Sequence, residues 1–396
     1  MSTSLLPEHA NALATFDHVQ RTRLVFGNGR AGRVGELSVE LGLKRILLVT
    51  DPGIVRAGHV ATVRKSLEAA GLEVTVFDQV IENPTTDCVE RCRRLAERAG
   101  SDSFLGLGGG SSMDTAKGAN FLLTNGGRMQ DYWGIGLAKR EMLPLIVIPT
   151  TAGTGSECQS FALISDIETH SKMACGDLKA AAKIAILDPE LTLSLPRNVT
   201  ACTGIDAIAH AVETAVTIKR NELSWMFSKE AFGLLLPNFA TVLKQPDDLN
   251  ARGSMLLGAA LAGCAIEASM LGAAHSMANP LTAEYDIVHG QAVGMMLPHV
   301  VRFNAERGEA SGAYAELAAI GKLGQAAMSD EAVESLAKRL TKLLEQADMP
   351  VTLRASGVEE SMLTTLAAEA AGQWTASFNP REVGQAEMES IYRAAF

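Results

Sequence analysis

The sequence predicts an α/β N-terminal domain with a parallel sheet over residues 1–196, followed by an all-α C-terminal domain over residues 197–396. Three observations carry that expectation. The length of 396 residues exceeds what one hydrophobic core usually supports. Short β-branched runs alternate with helically spaced apolar residues as far as Leu187, which is the pattern of a parallel sheet with helical crossovers. After Pro196 the strand-like runs fade and long Ala/Leu/Met-rich segments take over.

In chain order, strands are expected at Thr22–Phe26, Arg45–Thr50, Glu73–Phe77, Ser103–Gly108, Leu145–Thr150 and Lys183–Leu187. Helical spacing falls between them at Val34–Leu41, Val55–Ala70, Thr86–Ala99 and Ser111–Leu123. The boundary is placed near Leu195-Pro196-Arg197, and beyond it helices are expected over 199–216, 222–244, 248–272, 313–328, 331–347, 359–372 and 383–395. A formal charge of −10 without basic clusters argues against nucleic acid as a partner. The longest uncharged apolar stretch, near Ser254 to Ile266, is cut by Glu267 before it reaches spanning length, so no membrane is expected. Met1 to Asn11 shows no basic segment leading into an apolar run, which predicts a cytoplasmic protein. The six cysteines form no CxxC pair and read as small buried hydrophobes.

Three glycine- or threonine-rich turns follow strands. Gly27-Asn28-Gly29-Arg30-Ala31-Gly32 is a literal GxGxxG with Asp51 downstream, the spacing of a dinucleotide fingerprint, although Asn28-Gly29 serves equally well in a tight turn. Gly108-Gly109-Gly110-Ser111-Ser112-Met113-Asp114 leaves an apolar strand and opens a helix, where a backbone without side chains lets a pyrophosphate approach the free amides and the positive helix end. Read blandly, it is a strand-to-helix turn with Ser111 as N-cap. Thr150, Thr151 and Thr154 in Pro149–Glu157 sit where open α/β sheets bind ligands, and their hydroxyls suit ribose or phosphate contacts, or simply cap the chain.

The chemistry concentrates between Gly204 and His289. Asp206 and His210 stand four residues apart on one face of an expected helix, and His275 and His289 follow downstream. One carboxylate and three imidazoles, with no thiolate, suit a borderline divalent metal such as iron, zinc, cobalt or manganese. Alone, the Asp206/His210 pair reads equally as an ion pair or a satisfied buried histidine. His9, His18, His59 and His170 read as solvated and His299 as a structural histidine. The methionines read as core filler, except that Met277, two residues past His275, is placed to face a substrate.

Through GGGSSMDTAK, PTTAGTGSE, KIAILDPELTLSLP, TACTGIDAIAHAVE and HSMANPLTAEYDIVHG, in that order, nearly the whole chain resembles the iron-dependent (group III) alcohol dehydrogenase family. The resemblance implies an N-terminal dinucleotide-binding domain, a metal-binding helical domain, an active site in the cleft between them, and a homodimer. It implies Asp206, His210, His275 and His289 as ligands to Fe2+, with Zn2+ as the alternative. It also implies Gly108, Gly109, Gly110 and Ser111, with Asp114, as the pyrophosphate loop in place of residues 27–32. Thr150, Thr151, Thr154 and Lys172 match positions lining the NAD site, as do Asp51 and Asn83. The implied activity is hydride transfer between NAD(H) and a small primary alcohol, diol or aldehyde; a transhydrogenase with tightly held NAD is the alternative. One position departs. Four residues after the third ligand the family commonly carries a second histidine, and here it is Asn279, which does not titrate near neutral pH. The expectation is a shift toward substrates with an extra polar group, the bland alternative being that Asn279 orders a turn before Pro280.

Overall fold

The computed structural model describes residues 14–169, 171–308, 310–323 and 330–396. His9, His170 and the end of the segment expected to be helical over 313–328 lie outside the described residues.

Among the described residues nine strands are formed: β1 Arg23–Phe26, β2 Arg45–Val49, β3 Glu73–Phe77, β4 Ser103–Gly108, β5 Gly134–Ile135, β6 Leu145–Pro149, β7 Phe161–Ser165, β8 Lys172–Gly176 and β9 Ile184–Leu187. Six of them pair in parallel in the order β1-β9-β6-β4-β2-β3. The helices of this half are α1 Val34–Glu40, α2 Pro52–Arg56, α3 His59–Ala69, α4 Thr86–Arg98 and α5 Gly110–Asn125. A single helix over 55–70 is expected from periodicity; Gly58 instead adopts φ 84°, which ends α2 and starts α3.

Because the sheet is covered on both faces, alternate residues of one strand enter different cores. Ile46 and Leu48 join Leu105, Ile146 and Ile186 against α1 and α3, whereas Leu47 and Val49 join Phe104 and Val147 against α4 and α5. The second core runs without a break from the sheet into the helical half. That half holds α6 Arg197–Thr214, α7 Glu222–Lys244, α8 Leu249–Ser269, α9 Ala273–Tyr285, α10 His289–Ala305, α11 Ser311–Ile320, α12 Asp330–Gln346, α13 Leu363–Ala371 and α14 Gln385–Ala395. α6 is buried on every side from Thr200 to Thr214 apart from Thr203, so its sequence carries no polar stripe. α8 is 21 residues long and by length and composition passes for a membrane span, contrary to the expectation from Glu267, but 67% of its apolar window is buried inside the protein.

A second, three-stranded sheet, β5-β8-β7, was not expected. Its strands are short, β5 has only two residues, and Asp166, Glu168, Thr169 and Ser171 between β7 and antiparallel β8 interrupt the alternation.

Candidate active site

The three adjacent strands β6, β4 and β2 deliver Thr150, Gly108 and Asp51 side by side at their C-terminal ends. α5 starts there with Gly109 as its N-cap and without any side-chain cap, so Ser111 lies inside the helix and does not cap it. The amides of Gly110 and Ser111 have no protein acceptor among the described residues, and together with the helix dipole they form an anion seat. The threonine loop lies against it. A Cβ on Gly110 would meet Thr154 at 2.9 Å, so glycine there lets the two loops close, while a Cβ on Gly109 would only touch Thr151 at 3.4 Å. The hydroxyls of Thr150 and Ser112 are buried with no hydrogen-bond partner, which fits a ligand that supplies one.

The structure sorts the other residues expected at this seat. Asp51 caps α2, its Oδ1 accepting from the amides of Gly53 (2.7 Å) and Ile54 (3.1 Å), while Oδ2 lies on the side of Gly108. Asn83 holds φ 50° beside Pro84 and lines the cleft, as does Lys172 at the start of β8. Asp114 does not. Its carboxylate is buried behind the loop, accepting from Ser156 Oγ (2.7 Å) and the Leu163 amide (3.1 Å), with the fully buried Lys117 ammonium 3.9 Å away. Burial raises its pKa, and Lys117 and these hydrogen bonds only partly oppose that rise. It ties α5 to β7 instead of facing a ligand.

The GxGxxG at 27–32 is a turn at the end of the edge strand. Gly29 takes φ 69°, and the Asp188 carboxylate accepts from the amides of Gly29 (3.1 Å), Ala31 (2.8 Å) and Glu190 (3.1 Å). With Gly27, Arg30 and Gly32 donating to backbone carbonyls, five of the turn's six amides are already used.

Across the cleft, α6 carries Asp206 and His210 one turn apart, the first turn of α9 carries His275, and His289 opens α10. All three imidazoles turn Nε2 toward Asp206 Oδ1, at 3.3 Å from His275, 3.5 Å from His210 and 3.7 Å from His289. Candidate ligand atoms of Asp206, His210 and His275 lie within 4.8 Å of one another, and these three residues are buried. The His289 side chain is 32% exposed and closes the set on the open side. Burial alone would raise the Asp206 carboxyl, but the three imidazoles outweigh it and hold it far below the ordinary range. For His275, burial works against the charged form, yet Glu213 and Asp206 outweigh it and raise the imidazole to about 9; for His289 burial wins and lowers it to about 3. A carboxylate and three imidazole nitrogens converging on one point, with no protein cation between them, fit a divalent metal.

Asp206, His289 and Asn279 line the same cleft as Ser111, Thr150 and Lys172; its volume is about 1790 Å³. Asn279 lies inside α9, one turn beyond His275, which rules out the turn-ordering alternative. Its Nδ2 donates to Gln373 Oε1 at 3.1 Å. Met277 is fully buried and does not face the cleft. His59, expected to be solvated, is half-buried and bonded to Ser194 Oγ at 2.7 Å. Sequence reasoning missed Gln373, the neighbouring Trp374, which stacks on Phe161, and Glu213 behind His275. For Glu213 a signal existed: it follows His210 by three residues on the same helix face.

Residues 21–189 match the iron-containing alcohol dehydrogenase family and residues 200–396 match the C-terminal domain of the Fe-containing alcohol dehydrogenase family. A choline dehydrogenase of Bacillus subtilis (strain 168) is 34% identical over 390 residues, covering 95% of this chain and 94% of the relative. Among solved structures, an alcohol dehydrogenase from Oenococcus oeni aligns with a TM-score of 0.93 at 31% identity, over 96% of this chain and 100% of that one. A sulfoacetaldehyde reductase from Bifidobacterium kashiwanohense, solved in complex with NAD+, aligns with a TM-score of 0.85 at 25% identity, over 96% of this chain and 99% of that one. With the metal-type side-chain set on one wall of a cleft and the glycine-opened helix on the other, the chain belongs to the iron-containing alcohol dehydrogenase family.

Proposed function

We propose that this chain transfers hydride between NAD(H) and a short primary alcohol, or its aldehyde, that carries a second polar group, diols among them. The observation that carries the reading is that Asp206 and His289 share one cleft with the free helix start at Gly110–Ser111. Asp206, His210, His275 and His289 would hold Fe2+, or alternatively Zn2+, which when bound supplies Lewis-acid polarisation of the substrate oxygen, while NAD supplies the hydride chemistry.

The chain's own residues do the rest. Gly110, Ser111, Thr150, Thr151 and Thr154 seat the phosphates and ribose at the ends of β4 and β6, and Asp51 Oδ2 and Asn83 face the adenosine side. The partly exposed His289 leaves a solvent-open side next to the ligand set, and through it the alcohol proton leaves to water, because Asn279 offers no titrating nitrogen. Asn279 and Gln373 engage each other through one donor and one acceptor, which leaves Asn279 Oδ1 and the Gln373 amide hydrogens available to a substrate's second polar group. Choline and sulfoacetaldehyde, the compounds named for two of the relatives, each carry such a group.

The test is an anaerobic panel of alcohols and aldehydes with NAD(H), using apoprotein reloaded with Fe2+, Zn2+ or Co2+, in wild type and in Asn279→Ala and Asn279→His. Turnover of polar-substituted substrates that falls selectively in Asn279→Ala is expected. Identical kinetics of all three proteins on every substrate removes Asn279 from substrate recognition. Turnover that needs no added NAD points to the transhydrogenase instead.

A further inference from the structure

We infer that Glu213 is the residue that positions His275: it sets which imidazole nitrogen carries the proton and locks the ring against rotation. This rests on the metal reading of the Asp206 site. Glu213 is 3% exposed and follows His210 by three residues on α6. Its Oε2 meets Nδ1 of His275, and its Oε1 accepts from the Ala274 amide at 2.7 Å. Apart from Asp206, it is the one carboxylate bonded to an imidazole of the set among the described residues. A buried carboxylate with no lysine or arginine partner is costly unless something else justifies its place.

The chemistry follows from the donor inventory. A carboxylate only accepts, so Nδ1 of His275 donates, and in the neutral ring that a metal would bind the lone pair falls on Nε2. That is the nitrogen that faces Asp206 Oδ1 at 3.3 Å. The same carboxylate also fixes the backbone that carries the ring. α9 begins at Gly272, which has no side chain to cap it, and its first two amides are taken by distant acceptors: Ala274 by Glu213, and Ala273 by Asn379 Oδ1 at 3.3 Å. Asn379 is itself held by Asn304 through Nδ2 to Oδ1 at 2.8 Å. A Cβ on Gly272 would lie 3.1 Å from both Glu213 Oε1 and Asn379 Oδ1, so the glycine leaves room for the two caps. One carboxylate therefore holds both the helix start and the imidazole mounted on it. Carboxylate partners of ligating histidines are typically worth about 10–100-fold in metal affinity.

The experiment compares full-length wild type, Glu213→Gln and Glu213→Asp. Gln has the same shape but one acceptor oxygen: with that oxygen on the Ala274 amide, its NH2 faces Nδ1 and favours the proton on Nε2, where the ligand lone pair should be. Apoprotein is titrated with Co2+ against a competing chelator, the visible Co2+ spectrum is recorded, and NADH affinity and apoprotein Tm are measured alongside. Glu213→Gln is expected to lose about 10–100-fold in Co2+ affinity with an altered spectrum and near wild-type NADH affinity. Glu213→Asp, which keeps the carboxylate, is expected to fall between Gln and wild type. If Glu213→Gln does not fold, Glu213→Asp decides alone: a Co2+ affinity below that of wild type supports the inference, and one equal to wild type overturns it. Gln binding Co2+ as tightly as wild type, or more tightly than Asp, overturns the inference. A wild type that takes up no Co2+ overturns the metal reading itself, which is a different result.

Discussion

Gly290 sits one residue past His289, at the point where α10 crosses α6. A Cβ there would lie 2.0 Å from the carbonyl oxygen of Cys202 and 2.7 Å from its carbon, both backbone atoms of α6 that have no rotamer to change. Ordinary contact needs about 3.4 Å, so Gly290→Ala drives the start of α10 away from α6 by more than about 1 Å, at about 1–3 kcal/mol. His289 Nε2, now 3.7 Å from Asp206 Oδ1, moves with it. Gly294 on the same helix is the control: a Cβ there would meet Ile205 Cγ2 at 2.7 Å and Leu344 Cδ2 at 3.0 Å, side-chain atoms, so its substitution crowds the core without pressing on the α6 backbone. Both variants are expected to melt below wild type, but only Gly290→Ala should also lose metal affinity, by about tenfold or more, since a shift near 1 Å at a site is felt at that scale. Thermal melts and chelator competition measure the two effects separately. Wild-type metal affinity in a destabilised Gly290→Ala protein would refute the coupling of helix crossing to ligand geometry.

Asp206→Ala and His275→Ala should each abolish metal binding and turnover while leaving NADH affinity largely intact, because the nucleotide seat is built from other elements; unchanged metal content in either variant contradicts the ligand assignment. NAD should be preferred over NADP, and Asp51→Gly should narrow that preference, since a carboxylate repels a 2′-phosphate. The loss of the α2 cap costs only a few tenths of a kcal/mol when Gly replaces Asp. A wild type that uses both cofactors equally well removes Asp51 from this role. Burial raises the Glu157 carboxyl from 4.5 to about 7, so the folded chain keeps a proton that the unfolded chain has released. The stability this gives is fully present below pH 4.5 and is lost as pH rises through about 7, on the order of 3 kcal/mol in all. Glu157→Gln should therefore gain Tm relative to wild type between about pH 5 and pH 8; parallel curves over that range would show that Glu157 does not titrate there.

The six strands of the parallel sheet were legible because each carries apolar or β-branched residues bounded by turns, and in the central strands β2, β4, β6 and β9 burial on both faces makes the apolar run continuous. The two helices that deliver His275 and His289 were not among the expected ones. α9 carries Pro280 and α10 carries Pro298 inside the helix, with Gly290 at the first turn, and these residues read as breakers when only local propensity is weighed. Tertiary packing overrides them: Gly290 is small because Cys202 is against it. The ligand types were visible from chemistry alone, but their convergence was not, since Asp206 and His289 are brought together only by the crossing of α6 and α10. Asp114 shows the opposite case. Its place in a glycine-rich motif suggests ligand contact, yet the side chain points into the joint between α5 and β7, which the motif does not reveal.

The core that joins Leu47, Val49 and Phe104 to the helices of the second half has a consequence for cooperativity. Neither half can lose its fold without exposing apolar surface that belongs to the other, so the chain should unfold in one transition despite its length. A fragment ending near Pro196 would keep α4 and α5 over the sheet but bare the surface around Gly153, Gly155 and Pro189 that packs against α6 and α8, and should aggregate instead of persisting as a free nucleotide-binding module.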